Sequence, residues 1–232
     1  LSEALLEIGR GKFITGMSDW HVGDDLLAAL RGPINLAVDL IRQPEQVKQL
    51  LRRLESDYFR VYDLFYAKLR AAGQPISTWL PLACREGRYY VVSNDFSIMI
   101  SNPMFREFFL PGIHDECRFL ERAIYRLDGP GALRHLDCLL EIPELEALQF
   151  VPGAGNEGFH RWVQVYQKAQ AAGKGIEVFV TPEEIDLVTE TLDPRGLYLH
   201  LEMPLPSRQA AEGIISKLEK WCVGKQFTGW TG

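Results

Sequence analysis

The chain has 232 residues, 47% of them hydrophobic and 24% charged, which is enough apolar material for a full core and reads as one globular domain. Its 31 Asp and Glu outnumber 25 Lys and Arg for a formal charge of −6, so no diffuse basic field draws nucleic acid or anionic lipid. No apolar run reaches the length of a membrane span, the start LSEALLEIGRGK lacks the order of a signal peptide, and Cys84, Cys117, Cys138 and Cys222 form no C-x-x-C pair, so reduced thiols and a cytoplasmic location are expected.

In chain order, KFITGMS (12–18) predicts a buried strand, followed by a helix-rich segment in which Asp24 and Asp25 act as cap and first-turn acids. From Pro44 the apolar positions Val47, Leu50, Leu51, Leu54, Tyr58, Val61, Tyr62, Phe65 and Leu69 keep helical spacing, and Gly73 marks the exit. PISTWL (75–80) is short and β-prone. The pattern over 105–120 is helical but carries Pro111 and Gly112, which predicts a kink or two pieces.

Strand and helix then alternate: AIYRL (123–127), helix 132–141, ALQFV (147–151), helix 157–172, GIEVFV (175–180), helix 182–191, GLYLHL (196–201) and helix 207–222. Thr181 with Glu184 forms a capping-box signature and Pro182 takes the first helical position. The string AAG, then Ile three positions later, joins a helix end to a strand start at 71–76 and again at 171–176. Such alternation predicts right-handed βαβ units and a parallel sheet, about six units against the eight of a closed β/α barrel. No G-x-G-x-x-G or P-loop follows a strand, which disfavours a doubly wound nucleotide fold. Polar or turn residues do follow nearly every strand, at 18–21, 128–131, 152–155 and 202–204, and in a parallel barrel these ends meet on one rim.

DFSIMISNPMFREFFLPGI (95–113), YRLDGPGALRHLDCLLEIPELEALQFVPGAG (125–155) and the spacing to GLYLHLEMP (196–204) resemble the uroporphyrinogen decarboxylase superfamily, which also includes corrinoid-dependent methyltransferases. The likeness runs from about Gly11 to Trp221. It implies a TIM barrel whose N-terminal strand–helix units lie upstream of Leu1, so the 232 residues read as the C-terminal portion of a longer, single-domain barrel. The decarboxylases hold tetrapyrrole carboxylates with arginines from a segment that has no counterpart here, and they place a His where this chain has Met203. The methyltransferases carry zinc on a His-x-Cys after one strand and a Cys after the last. The matching residues here are Arg126-Leu127-Asp128 and His200-Leu201-Glu202-Met203. A guanidinium cannot ligate zinc, so no thiol-type zinc site is expected.

The candidate residues follow from rim position and from this resemblance. Asp128 is either a turn former for Gly129-Pro130-Gly131 or a functional carboxylate in the mouth. Arg126, two residues earlier on an extended strand, shares its face, and an ion pair between them would favour anchoring over proton donation. Asp19 and His21 follow the first predicted strand; His21 suits a base near neutral pH, or a metal ligand with Asp19, Asp128 and Glu202. Asp128, His21 and Asp19 are thus the catalytic candidates, and Asp95, Arg126, Glu202 and Trp79 the substrate-binding ones. His200 reads as a structural His on its strand, and His135 as structural or surface. Trp79, Tyr89, Tyr90, Phe96 and Phe150 either line an apolar cavity or pack helices on the sheet. The expectation is a methyltransferase-like enzyme with an acidic mouth, acting on a small-molecule substrate or a methyl-corrinoid protein. Its alternatives are tetrapyrrole decarboxylation and a non-catalytic binding or assembly role. An open sheet edge predicts self-association into a homo-oligomer, or a covering segment.

Overall fold

The computed structural model describes residues 1–201 and 204–224. The chain is mixed α/β and forms two compact units, Leu1–Glu146 and a second that begins at Ala147. Within each unit the longer strands pair in parallel, and no barrel is closed among the described residues.

In the first unit α1 (Ser2–Ile8), α2 (Asp24–Arg31), α3 (Pro33–Arg42) and α4 (Pro44–Ala71) precede β1 (Ile76–Ser77), β2 (Ala83–Cys84) and β3 (Tyr89–Ser93). A 3-10 turn at Asp95–Met99, then α5 (Asn102–Phe108) and α6 (Leu110–Leu120), lead to β4 (Arg122–Asp128), which is followed by a 3-10 turn at Pro130–His135 and α7 (Leu136–Leu140). The 28-residue α4 begins at Pro44 and buries Val47, Leu51, Tyr58, Tyr62 and Leu69 along one stripe. The Tyr62 hydroxyl donates to the Tyr89 carbonyl at 3.0 Å and fastens this helix to the start of β3. Every residue of β3 is buried, as expected for a parallel strand covered on both faces. The expected break falls at Phe109, between α5 and α6, with Pro111 in the first turn of α6, where its missing N–H costs nothing.

Two expectations are corrected here. Residues 12–18 form no strand: Thr15 N donates to Gln74 Oε1 at 2.7 Å, Met17 N to the Ser77 carbonyl at 2.7 Å and Trp20 N to the Tyr90 hydroxyl at 2.9 Å. Two of these three acceptors are side chains, which displace the backbone ladder that apolar content alone suggested. PISTWL supplies only β1, paired antiparallel with β2, so among the described residues the parallel strands number five rather than about six. The Tyr90 hydroxyl also donates to the Ser18 carbonyl at 2.6 Å. Tyr90→Phe removes both bonds and should lower stability by about 1 kcal/mol in urea unfolding, with a change in Trp20 fluorescence. An unchanged midpoint would mean that the 12–22 segment is held by other contacts.

β5 (Leu145–Val151) begins two residues before the second unit, which also contains α8 (Val163–Ala171), β6 (Gly175–Val180), α9 (Ile185–Thr191), β7 (Leu197–Leu201) and α10 (Arg208–Gly224). Ala147 pairs with Gly175 and Gln149 with Glu177, while Glu177 also pairs with Tyr198 and Phe179 with His200. Phe150, buried, packs edge-on against Trp162 at 5.1 Å, and Phe159 stacks on Tyr166 at 5.5 Å. The capping box at Thr181 and Glu184 is present: Thr181 N donates to Glu184 Oε2 at 3.1 Å.

The two AAG strings end their helices in the same way. Gln74 N donates to Leu69 O and Gly73 N to Arg70 O. Likewise Lys174 N donates to Ala169 O and Gly173 N to Gln170 O. Both are Schellman closures, with Gly73 at φ +71 and Gly173 at φ +75 in the left-handed region.

Candidate functional site

In the first unit, β3 and β4 run in register with Ser93 opposite Arg126, so their C-terminal ends lie side by side. Asp128 is the last residue of β4 and Asp95 opens the turn two residues after β3. Arg126 Nη1 donates to both Asp95 oxygens at 3.1 and 3.0 Å, and Nη2 to Asp128 Oδ2 at 3.1 Å. Ser93 Oγ donates to Asp95 Oδ1 at 2.9 Å, and the guanidinium carbon stands 5.8 Å from the centre of the Trp79 ring. The structure therefore gathers Asp95, Arg126, Asp128 and Trp79. The Asp128 carboxylate pairs with Arg126. Two carboxylates against one guanidinium leave a surplus negative charge at this strand end.

Asp19 and His21 pair with each other at 2.9 Å. No strand precedes them, so Asp19 does not lie at a strand end as the rim argument required. Glu202, like Met203, lies outside the described residues. Among the described residues no group of three or more His, Cys, Asp or Glu side chains comes together to hold a metal. Arg126 and Asp128 are engaged with each other.

Of the aromatic set, Tyr89, Tyr90, Phe96 and Phe150 are core side chains and Trp79 is exposed. His135 is fully buried and structural. Asn102 lies 3.3 Å from its Nδ1, Nε2 lies 3.0 Å from the Ser97 carbonyl, and the ring stacks on Phe105 at 4.2 Å. Burial holds its pKa below the ordinary imidazole value.

Sequence reasoning missed the acids beneath the site. Asp24 and Asp25 do open α2, but Asp24 is fully buried and accepts a 2.7 Å bond from Asn94 Nδ2. Asp25 Oδ1 accepts from the backbone N–H groups of Asp95 and Phe96 at 2.8 and 3.1 Å, tying the start of α2 to the turn that carries Asp95. Burial, then the neighbouring Asp25 charge, raise the Asp24 carboxyl well above its ordinary value. Asp25 is itself raised by burial and pulled back by its bond to Phe96. Gly23 makes this approach feasible, with φ +80 and an added Cβ that would meet Asn94 Nδ2 at 2.9 Å. The sequence did hold a signal: a Gly-Asp-Asp string is more acid than one helix start needs.

No helix among the described residues is long and apolar enough to cross a membrane. Compared with family models, curated proteins and solved structures, the chain finds no match in any of the three.

Proposed function

We propose that the chain belongs to a cytoplasmic β/α-barrel enzyme of the uroporphyrinogen decarboxylase superfamily, of the methyltransferase-like kind. It would act at an acidic strand end and lack the thiol-type zinc site. One observation carries the reading: Arg126, braced by Asp95 and Asp128 over Trp79 at the C-terminal ends of adjacent parallel strands, where open and closed α/β sheets bind ligands. A guanidinium already occupied by two carboxylates is poorly placed to grip the many carboxylates of a tetrapyrrole, which weighs against decarboxylation. The excess acid instead favours a ligand that donates hydrogen bonds or carries positive charge. In this reading Arg126 and Asp128 orient the ligand, Asp95 holds Arg126, and the methyl donor is a methyl-corrinoid protein.

The test is spectrophotometric: methylcobalamin with an added organic thiol, with and without the full chain, followed by the loss of the methyl-corrinoid absorbance. Turnover above the thiol background is expected, and it should drop roughly tenfold or more in Arg126→Ala and in Asp128→Asn as ligand positioning is lost. Asp128→Asn preserves shape and removes charge, so its thermal unfolding should stay close to that of the parent. Absence of turnover, or turnover in both variants equal to that of the parent, would sink the assignment.

A further inference from the structure

The second unit carries an arrangement of its own that the reading above does not use. Register places Gln149 beside Glu177 and Tyr198 beside Glu177, and His200 follows Tyr198 by two positions on the same face of β7. Gln149 Nε2 donates to Glu177 Oε2 at 2.8 Å. Gln149 and Glu177 are each only 3% exposed, an uncommon setting for a carboxyl inside an apolar strand. The other carboxyl oxygen, Oε1, is buried without a hydrogen bond, and so is His200 Nδ1, 3.7 Å away. The His200 side chain is nevertheless 39% exposed, so part of the ring beyond the buried Nδ1 is open. Phe179 packs on that ring at 4.9 Å and Tyr198 stands edge-on at 6.5 Å.

We propose that Glu177 and His200 form a proton-transfer dyad, in which Nε2 of His200 accepts the proton of a weakly acidic O–H or S–H on a small organic ligand seated beside Phe179 and Tyr198. The electron pair of the O–H or S–H bond stays on the ligand as its anion, and the imidazolium is stabilised by the Glu177 carboxylate. Glu177 is a positioning residue: Gln149 fixes its orientation, and it in turn selects the Nδ1–H tautomer that frees Nε2 as acceptor. Glu177 Oε1 and His200 Nδ1 stand 3.7 Å apart, and such bonds often close when the site is filled. Burial raises the Glu177 carboxyl above its ordinary value, while the Gln149 amide and the His200 charge pull it back.

Nitrogen-15 NMR of the full chain decides the tautomer without any variant. The proposal requires neutral His200 to carry its proton on Nδ1, and an Nε2–H tautomer facing a protonated Glu177 would overturn it. The probe for the transfer is 4-nitrophenol, whose phenolate absorbs in the visible. Below the phenol's own pKa the protein should produce phenolate saturably. His200→Ala should abolish that signal, and Glu177→Gln should cut it about tenfold as the imidazole loses the carboxylate that orients it. Saturable phenolate that persists undiminished in His200→Ala would assign the proton to another group and overturn the dyad. So would the absence of any saturable signal. Neither outcome bears on methyl transfer at Arg126.

Discussion

Gly23→Ala should cost about 2–5 kcal/mol, the sum of a backbone held in a glycine-only region and a clash in a packed interior. At φ 80 and ψ −133 an L side chain is strained on its own account, and the new Cβ would stand 2.9 Å from Asn94 Nδ2, the atom that donates to Asp24. Gly32 supplies the control. Its φ is +84, yet an added Cβ would meet only Asn35 Nδ2 at 3.6 Å, an ordinary contact. Gly32→Ala therefore reports backbone strain alone, and the excess loss in Gly23→Ala, read from urea midpoints, measures the close approach to Asn94. Equal losses in the two variants would mean that Asn94 moves aside freely and that the Asn94–Asp24 bond contributes little.

The second large effect concerns pH. The raised Asp24 carboxyl keeps its proton in the folded chain at pH values where the unfolded chain has released it. The folded state thus binds more protons above the ordinary carboxylate range. The stability linked to Asp24 is complete below that range and is lost as pH rises through the folded value. Asp24→Asn keeps an acceptor for Asn94 and cannot titrate. Relative to its own stability at low pH, the variant should retain more than the parent at pH 8, by about 1.4 kcal/mol for each unit of the shift. The slope will not vanish, because Asp25, Glu116 and Glu177 are raised in the same direction by burial. Parallel stability curves for parent and variant from pH 4 to pH 8 would show that Asp24 titrates normally.

Local rules made much of the architecture legible. The stripe on α4, the break at Pro111, the capping box at Thr181 and the strands at 122–128, 145–151, 175–180 and 197–201 depend on neighbours within a few residues, so their pattern is written in sequence. Arg126 and Asp128 were legible as a pair by alternation along one strand. The segment 12–18 was not, because its hydrogen bonds go to Gln74, Ser77 and Tyr90, some 60 to 70 residues away. Asp24 was obscured by its own plausibility as a helix-start acid. What sets it apart is Asn94, 70 residues on, and complete burial. Glu177 left a fainter trace as the one charge in GIEVFV, a strand that otherwise reads as core.

The paired Schellman closures separate two kinds of instruction in this chain. KLRAAGQ (68–74) and KAQAAGK (168–174) end their helices with the same two bonds, yet one exit delivers the chain to antiparallel β1 and the other to parallel β6. The motif behaves as punctuation: it says where a helix stops and when the next strand begins, and nothing about the direction of the neighbour that strand will meet. Exchanging the two heptapeptides should therefore leave both topologies unaltered, since strand orientation is written elsewhere, in the distant residues that each strand finds as partners.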